Sequence, residues 1–236
     1  MKKQRIMIGT IPAAVWGEDS DRVFLFVHGK QSSKDAAEPL AAIADARGFQ
    51  TLSFDLPAHG ERIGRAERCD VWTGTRDLRA AADRAFSAWR EVSLFACSLG
   101  AYFSLDALRD RPLRRCLFQS PIVDMEALIR QMMVWFGVTP ERLEREGEIE
   151  TPVDTMSWAY YQYVLARPLR RWDVPTEILY GAKDELQPPE VIRAFCRRFG
   201  AGLTVAENSG HAFMDAGDDA IVRAWLEKCV PGREQA

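Results

Sequence analysis

What this sequence lacks narrows its function before any motif is read. No run of about 18 apolar residues occurs, so no membrane-spanning helix is expected. No Cys-x-x-Cys pair occurs, and His28, His59 and His211 stand at no metal-ligand spacing with the cysteines; neither a metal nor another cofactor is expected. Charge of one sign is also missing. With 31 basic against 34 acidic residues and a net charge of -3, the chain has no electrostatic footprint for nucleic acid or an anionic membrane. Internal repeats and low-complexity tracts are absent. The five cysteines (Cys69, Cys97, Cys116, Cys196 and Cys229) are odd in number and scattered, which points to a reducing cytoplasm rather than a disulfide framework. Met1-Lys2-Lys3 opens like a signal peptide, but Gly9, Thr10 and Pro12 break the apolar segment that one needs. That region reads instead as two short strands about a turn.

What remains is enough for one large core: 236 residues, 47% of them hydrophobic. Val23 to Val27 is a continuous apolar run, the mark of a strand buried on both faces. Residues 33–47 have helical composition and end at Gly48, and "FQTLSFD" reads as a strand halted by Pro57. Trp72, Leu78, Ala82, Phe86 and Trp89 recur along an amphipathic helix. A strand then runs into "ACSLG", followed by a helix from Ala101 to Arg109 and the strand "RRCLFQSP". The alternation stops over 124–173, which has helical pieces and no convincing strand, and resumes with "TEILYG" and the segments after it. Strands alternating with helices predict one α/β domain spanning 1–236, with a mostly parallel sheet, a helical insertion at 124–173 and a frayed tail at 231–236.

Ligands of open α/β sheets bind at the carboxyl ends of the strands. Those ends carry His28-Gly29-Lys30, Asp55, Ser98 and Asp184, and His211 follows the last strand. A serine at a strand-to-helix turn, then an acid, then a histidine, is the chain order of the α/β-hydrolases. The sequence resembles that superfamily over nearly its whole length. "HGK" resembles the segment beside the oxyanion hole, "DLPAHG" the family's D-x-P-G-H-G loop, and "ACSLG" the nucleophile elbow. "GAKDEL" is similar to the acid turn and "GHAF" to the histidine loop. Each motif alone is weak; five in order, each at its place in the β/α rhythm, carry the resemblance.

The resemblance implies a serine hydrolase. Ser98 would be the nucleophile, His211 the base that takes its proton, and Asp184 the carboxylate that holds the imidazole. Backbone N–H groups of Lys30 and Leu99 would face the oxyanion, each such donor typically contributing about 3 kcal/mol. Asp124, after the preceding strand, is a second candidate for the acid. Cys97 is a second candidate nucleophile, although the exposed apex of the turn lies between Ala96 and Gly100. Ala96 stands where the family usually has glycine and adds a methyl group there. His28, Asp55 and His59 are expected to shape the loops.

The resemblance also makes residues 124–173 a lid, similar to those of esterases and monoacylglycerol lipases. Met132, Trp135, Phe136 and Trp158 within it are candidate substrate-binding residues. Thr139-Pro140-Glu141 reads as the start of a solvated helix. The expected partner is a small-molecule ester of a small to medium acyl or aromatic group, cleaved through an acyl-enzyme; a homo-oligomer is compatible with the sequence. A thioesterase, a peptidase or a C–C bond hydrolase would use the same triad, and a non-catalytic binding protein would keep the same fold.

Overall fold

The apolar run at Val23–Val27 becomes β3 (Arg22–Val27), buried on both faces near the middle of an eight-stranded sheet. The computed structural model describes residues 1–232; of the expected frayed tail, 233–236 lie outside the described residues. Ahead of β3, β1 (Lys3–Ile8) and β2 (Ile11–Trp16) form the hairpin expected at the N-terminus. After it come α1 (Glu38–Ala46), β4 (Gln50–Phe54), α2 (Val71–Ala88), β5 (Glu91–Cys97), α3 (Leu99–Ala107) and β6 (Cys116–Gln119). The interrupting segment holds α4 (Met125–Phe136), α5 (Pro140–Glu146), β7 (Glu148–Glu150), β8 (Thr155–Ser157) and α6 (Trp158–Ala166). The alternation then ends with β9 (Thr176–Gly181), α7 (Pro189–Phe199), β10 (Gly202–Ala206) and α8 (Asp218–Cys229). Strand order is β1-β2-β4-β3-β5-β6-β9-β10, with β1 and β2 antiparallel and the strands from β4 to β10 parallel.

Period-two alternation divides each central strand between two cores. Val23, Leu25 and Val27 face α2, α3 and α7, whereas Phe24 and Phe26 face α1 and α8. In β5, Leu94 and Ala96 join the first core, and Phe95 and Cys97 join the second. A third core, built around Met125, Met132, Met133, Leu143 and Tyr161, belongs to the segment between β6 and β9.

Three details differ from the sequence expectation. The helix expected from Ala101 begins at Leu99, because Ser98 is itself the residue that leads into it. The segment expected to lack strands contains the β7–β8 hairpin; its strands have three residues each, too few for a strand pattern to register. Trp72, expected on the buried face of α2, is 44% exposed, whereas Leu78 and Ala82 are buried as expected.

The loop after β4 is pinned by buried charge. Asp55 accepts from the Lys34 backbone (2.8 Å), the Lys34 Nζ (2.9 Å) and the Glu61 backbone (3.0 Å). Burial opposes the Lys34 charge, yet hydrogen bonds to Glu61 and Asp55 outweigh it and hold the ammonium above its ordinary pKa. Arg62, also buried, donates to Asp77 (2.6 Å) and to the Asp55 carbonyl (3.0 Å). Removing one partner of such a pair typically costs about 3–5 kcal/mol, so these contacts fix the start of the loop between β4 and α2.

Candidate active site

The turn at Ser98 depends on two close approaches. Ser98 has φ +50° and ψ −120°, a strained conformation for a side-chain-bearing residue, and its backbone N–H reaches the Gln119 carbonyl of β6 (3.2 Å). A Cβ on Gly100 would lie 2.4 Å from the His28 carbonyl oxygen, so only glycine lets α3 cross the end of β3 so closely. A Cβ on Gly29 would lie 3.0 Å from the Ser98 Cβ, which places the 28–30 loop directly against the turn. The methyl group of Ala96 is fully buried in the first core.

Ser98, His211 and Asp184 meet although they are far apart in sequence. The Ser98 Oγ lies 2.8 Å from His211 Nε2, and His211 Nδ1 lies 2.7 Å from Asp184 Oδ2. The second carboxylate oxygen, Oδ1, accepts from the backbone N–H groups of Leu186 (2.8 Å) and Gln187 (3.3 Å). Asp184 is fully buried at its side chain, and His211 keeps 19% exposure. Asp124 is occupied elsewhere. Its carboxylate caps α4 by accepting from the Ala127 N–H (2.9 Å). Cys97 packs toward the second core, and burial, with the Asp184 charge adding to it, pushes its thiol up to about 12. That thiol stays protonated near neutrality and does not share the exposed apex with Ser98.

Gln187 is a positioning residue that the sequence did not reveal. Fully buried, its side-chain oxygen accepts from the Val123 and Asp124 N–H groups (both 3.0 Å) and its amide donates to the Asp124 carbonyl (3.1 Å). It thereby ties the Asp184 loop to the end of β6. A lone glutamine before Pro188 carries no sequence signal for that role.

His28 braces the 28–30 loop. Its Nε2 accepts from the Leu56 N–H (3.0 Å), so Nδ1 carries the proton and donates to the Gly29 carbonyl (2.7 Å). Burial lowers its pKa to about 4, with neighbouring His59 adding to the effect, against an ordinary 6.5. The unfolded chain therefore binds a proton that the folded chain refuses between those values. The stabilisation is complete above pH 6.5 and is lost as pH falls through about 4, a loss on the order of 3 kcal/mol. Urea unfolding of wild type and His28→Gln at pH 7 and pH 4 checks this. The wild type should lose more stability over that interval by about that amount, and parallel losses would show that His28 is not the group responsible.

A cleft of about 740 Å³ is lined by Leu99, the residue after Ser98, and by Lys30, His59, Ile63, Trp72 and Tyr160 among others; the side chains of Ser98, His211 and Asp184 lie outside its lining. The lid residues expected to bind substrate do not line it. Met132 is buried within the third core, Phe136 and Trp158 pack against that core, and Trp135 is 40% exposed. Met132, Phe136 and Trp158 are taken up by the third core, where α4 and α6 bury their larger groups against each other; Trp135 is not part of that core. Lys30 and Leu99 do line the cleft, and their backbone N–H groups donate to no protein acceptor among the described residues. No cluster of three or more His, Cys, Asp or Glu side chains that could hold a metal occurs among the described residues, and no helix there is long and apolar enough to cross a membrane.

This is a doubly wound α/β fold with a hydroxyl, an imidazole and a carboxylate hydrogen-bonded in series at one end of its sheet. The chain belongs to the Alpha/beta hydrolase family, whose model matches residues 24–224. Several solved structures share its fold. Est1E from Butyrivibrio proteoclasticus, solved with ferulic acid bound, is 15% identical with a TM-score of 0.78, covering 95% of this chain and 96% of that one. Mouse alpha/beta hydrolase domain-containing protein 10 is 16% identical with a TM-score of 0.76, covering 98% of each chain. A monoacylglycerol lipase from Paleococcus ferrophilus is 20% identical with a TM-score of 0.65, covering 92% of this chain and 98% of that one. No curated protein matches the chain by sequence.

Proposed function

We propose that this protein is a serine hydrolase that cleaves carboxylic esters of small to medium acyl or aromatic groups through an acyl-enzyme. The observation that carries this reading is the hydrogen-bonded series from Ser98 Oγ through His211 to Asp184. Ser98 Oγ attacks the ester carbonyl as its proton passes to His211 Nε2, and Asp184 stabilises the imidazolium through Nδ1. The C–O bond breaks, and His211 returns the proton to the departing alcohol. Water, deprotonated by His211, then cleaves the acyl-enzyme, releasing the acid and restoring the Ser98 hydroxyl. The N–H groups of Lys30 and Leu99 bind the oxyanion in both steps.

The segment between β6 and β9 acts as a lid, its β7–β8 hairpin forming one wall of the cleft. Ester chemistry is favoured by the monoacylglycerol lipase among the structures of like fold. The five free cysteines suit a reducing, cytoplasmic setting. A fluorophosphonate probe tests the reading: it should label Ser98 in the folded protein, and a folded protein that stays unlabelled would refute it. A panel of esters, thioesters and amides then identifies the bond cleaved, with esters expected to turn over fastest.

A further inference from the structure

Tyr160 carries a buried polar group that the proposed mechanism does not use. It lies on α6 and lines the cleft, its ring centroid 6.1 Å from that of Trp72 and 6.4 Å from that of Tyr102. Its hydroxyl is buried, and among the described residues it has no hydrogen-bond partner. Four groups face the phenol electrostatically, namely Tyr102, Cys69, Asp154 and Asp70. Three of them, Cys69, Asp70 and Asp154, line the same cleft as Tyr160. Burial first, and these neighbours next, hold the phenol well above its ordinary pKa, so it is a neutral donor. A buried hydroxyl without a partner opposes folding, and phenylalanine would fill the same volume without that penalty.

Exposed ion pairs tie the β7–β8 hairpin to the rest of the cleft wall. Lys30 Nζ contacts Asp154 (2.7 Å) and the Val153 carbonyl (3.0 Å) at the β7–β8 turn, and Arg68 pairs with Glu148 (2.9 Å). All four charged side chains are at least 40% exposed, and ion pairs of that kind hold a segment weakly. Ile149 and Met156 anchor the strands of the hairpin in the third core, whereas its turn at 152–154 is exposed and is the part that a ligand entering the cleft would shift to reach the phenol.

We propose that Tyr160 is a substrate-binding residue whose phenol donates a hydrogen bond to an oxygen acceptor on the group seated against Trp72, apart from the scissile ester. The substrate class is thus an oxygenated ester, with an ether, hydroxyl or carbonyl oxygen on its apolar or aryl portion. This inference rests on the ester-hydrolase reading and deepens it.

The test uses two matched pairs of aryl esters, 4-methoxyphenyl against 4-ethylphenyl, with the ring on the acyl side in one pair and on the alcohol side in the other. In at least one pair the wild type should prefer the methoxy member by roughly tenfold in kcat/KM, the value of one net hydrogen bond. In Tyr160→Phe that ratio should fall to about one while the Tm stays the same or rises. A wild type without preference in either pair, a preference that survives Tyr160→Phe, or a lowered Tm in that variant would each overturn the proposal. Calorimetric binding of the same pairs to Ser98→Ala, and to that variant combined with Tyr160→Phe, reads the contact without turnover. A protein that hydrolyses no ester yet shows the Tyr160-dependent preference in binding would retain this inference and lose the hydrolase reading. Equal binding in both proteins would overturn the inference itself.

Discussion

Ser98→Ala should lower kcat for ester hydrolysis by about 10⁴- to 10⁶-fold while the protein folds and binds ester as before. The side chain of Ser98 makes its hydrogen bond to His211 Nε2 alone, and alanine removes only that oxygen. The backbone contacts of the turn remain: the Ser98 N–H to Gln119, and the Ser98 carbonyl accepting from Ala101 (3.0 Å) and Ile122 (3.2 Å). The Cβ that abuts Gly29 also remains, and alanine meets the same φ of +50° as serine. Cys97 offers no substitute nucleophile, because its thiol is buried on the other side of β5. Kinetics with a reactive aryl ester, together with urea unfolding, measure both halves of the expectation. Activity within tenfold of wild type would mean that another group performs the chemistry.

Asp184→Asn should lower kcat by about 10⁴-fold, again in a folded protein. The buried carboxylate faces two different partners, and an amide can satisfy them in only one orientation. Its oxygen must replace Oδ1 opposite the Leu186 and Gln187 N–H groups, which turns its NH₂ toward His211 Nδ1. Two donors cannot share that contact, so the imidazole shifts its proton to Nε2 and can no longer accept one from Ser98. Asp124→Asn provides the contrast. Asparagine caps a helix as well as aspartate does, so the bond to the Ala127 N–H survives and kcat should stay within about twofold. If Asp124→Asn were instead the damaging substitution, the carboxylate assignment would be reversed. An assay of both variants at neutral pH decides between them.

Much of the fold was legible because its elements are encoded locally. The run from Val23 to Val27, the amphipathic period of α2 and the Thr139-Pro140 helix start each depend on a few adjacent residues. The β7–β8 hairpin was not legible, since Glu148-Ile149-Glu150 pairs with Thr155-Met156-Ser157 only within the folded segment.

The sequence by itself determined the chain order of the candidate residues: a serine in "ACSLG", an aspartate in "GAKDEL" and a histidine in "GHAF", each at or after the end of a strand. Three choices were left to tertiary structure. Asp184 rather than Asp124 contacts His211, because parallel pairing of β9 with β10 brings the turn after β9, and not the start of α4, to the imidazole. Cys97 turns inward and Ser98 outward, because strand alternation commits Cys97 to the second core before the chain bends. The cleft is walled by Trp72, Ile63 and Tyr160 instead of Met132, Trp135, Phe136 and Trp158. Composition identifies large apolar groups in a lid, but which of them face a ligand depends on how its helices bury one another, and that is a property of packing across distant segments.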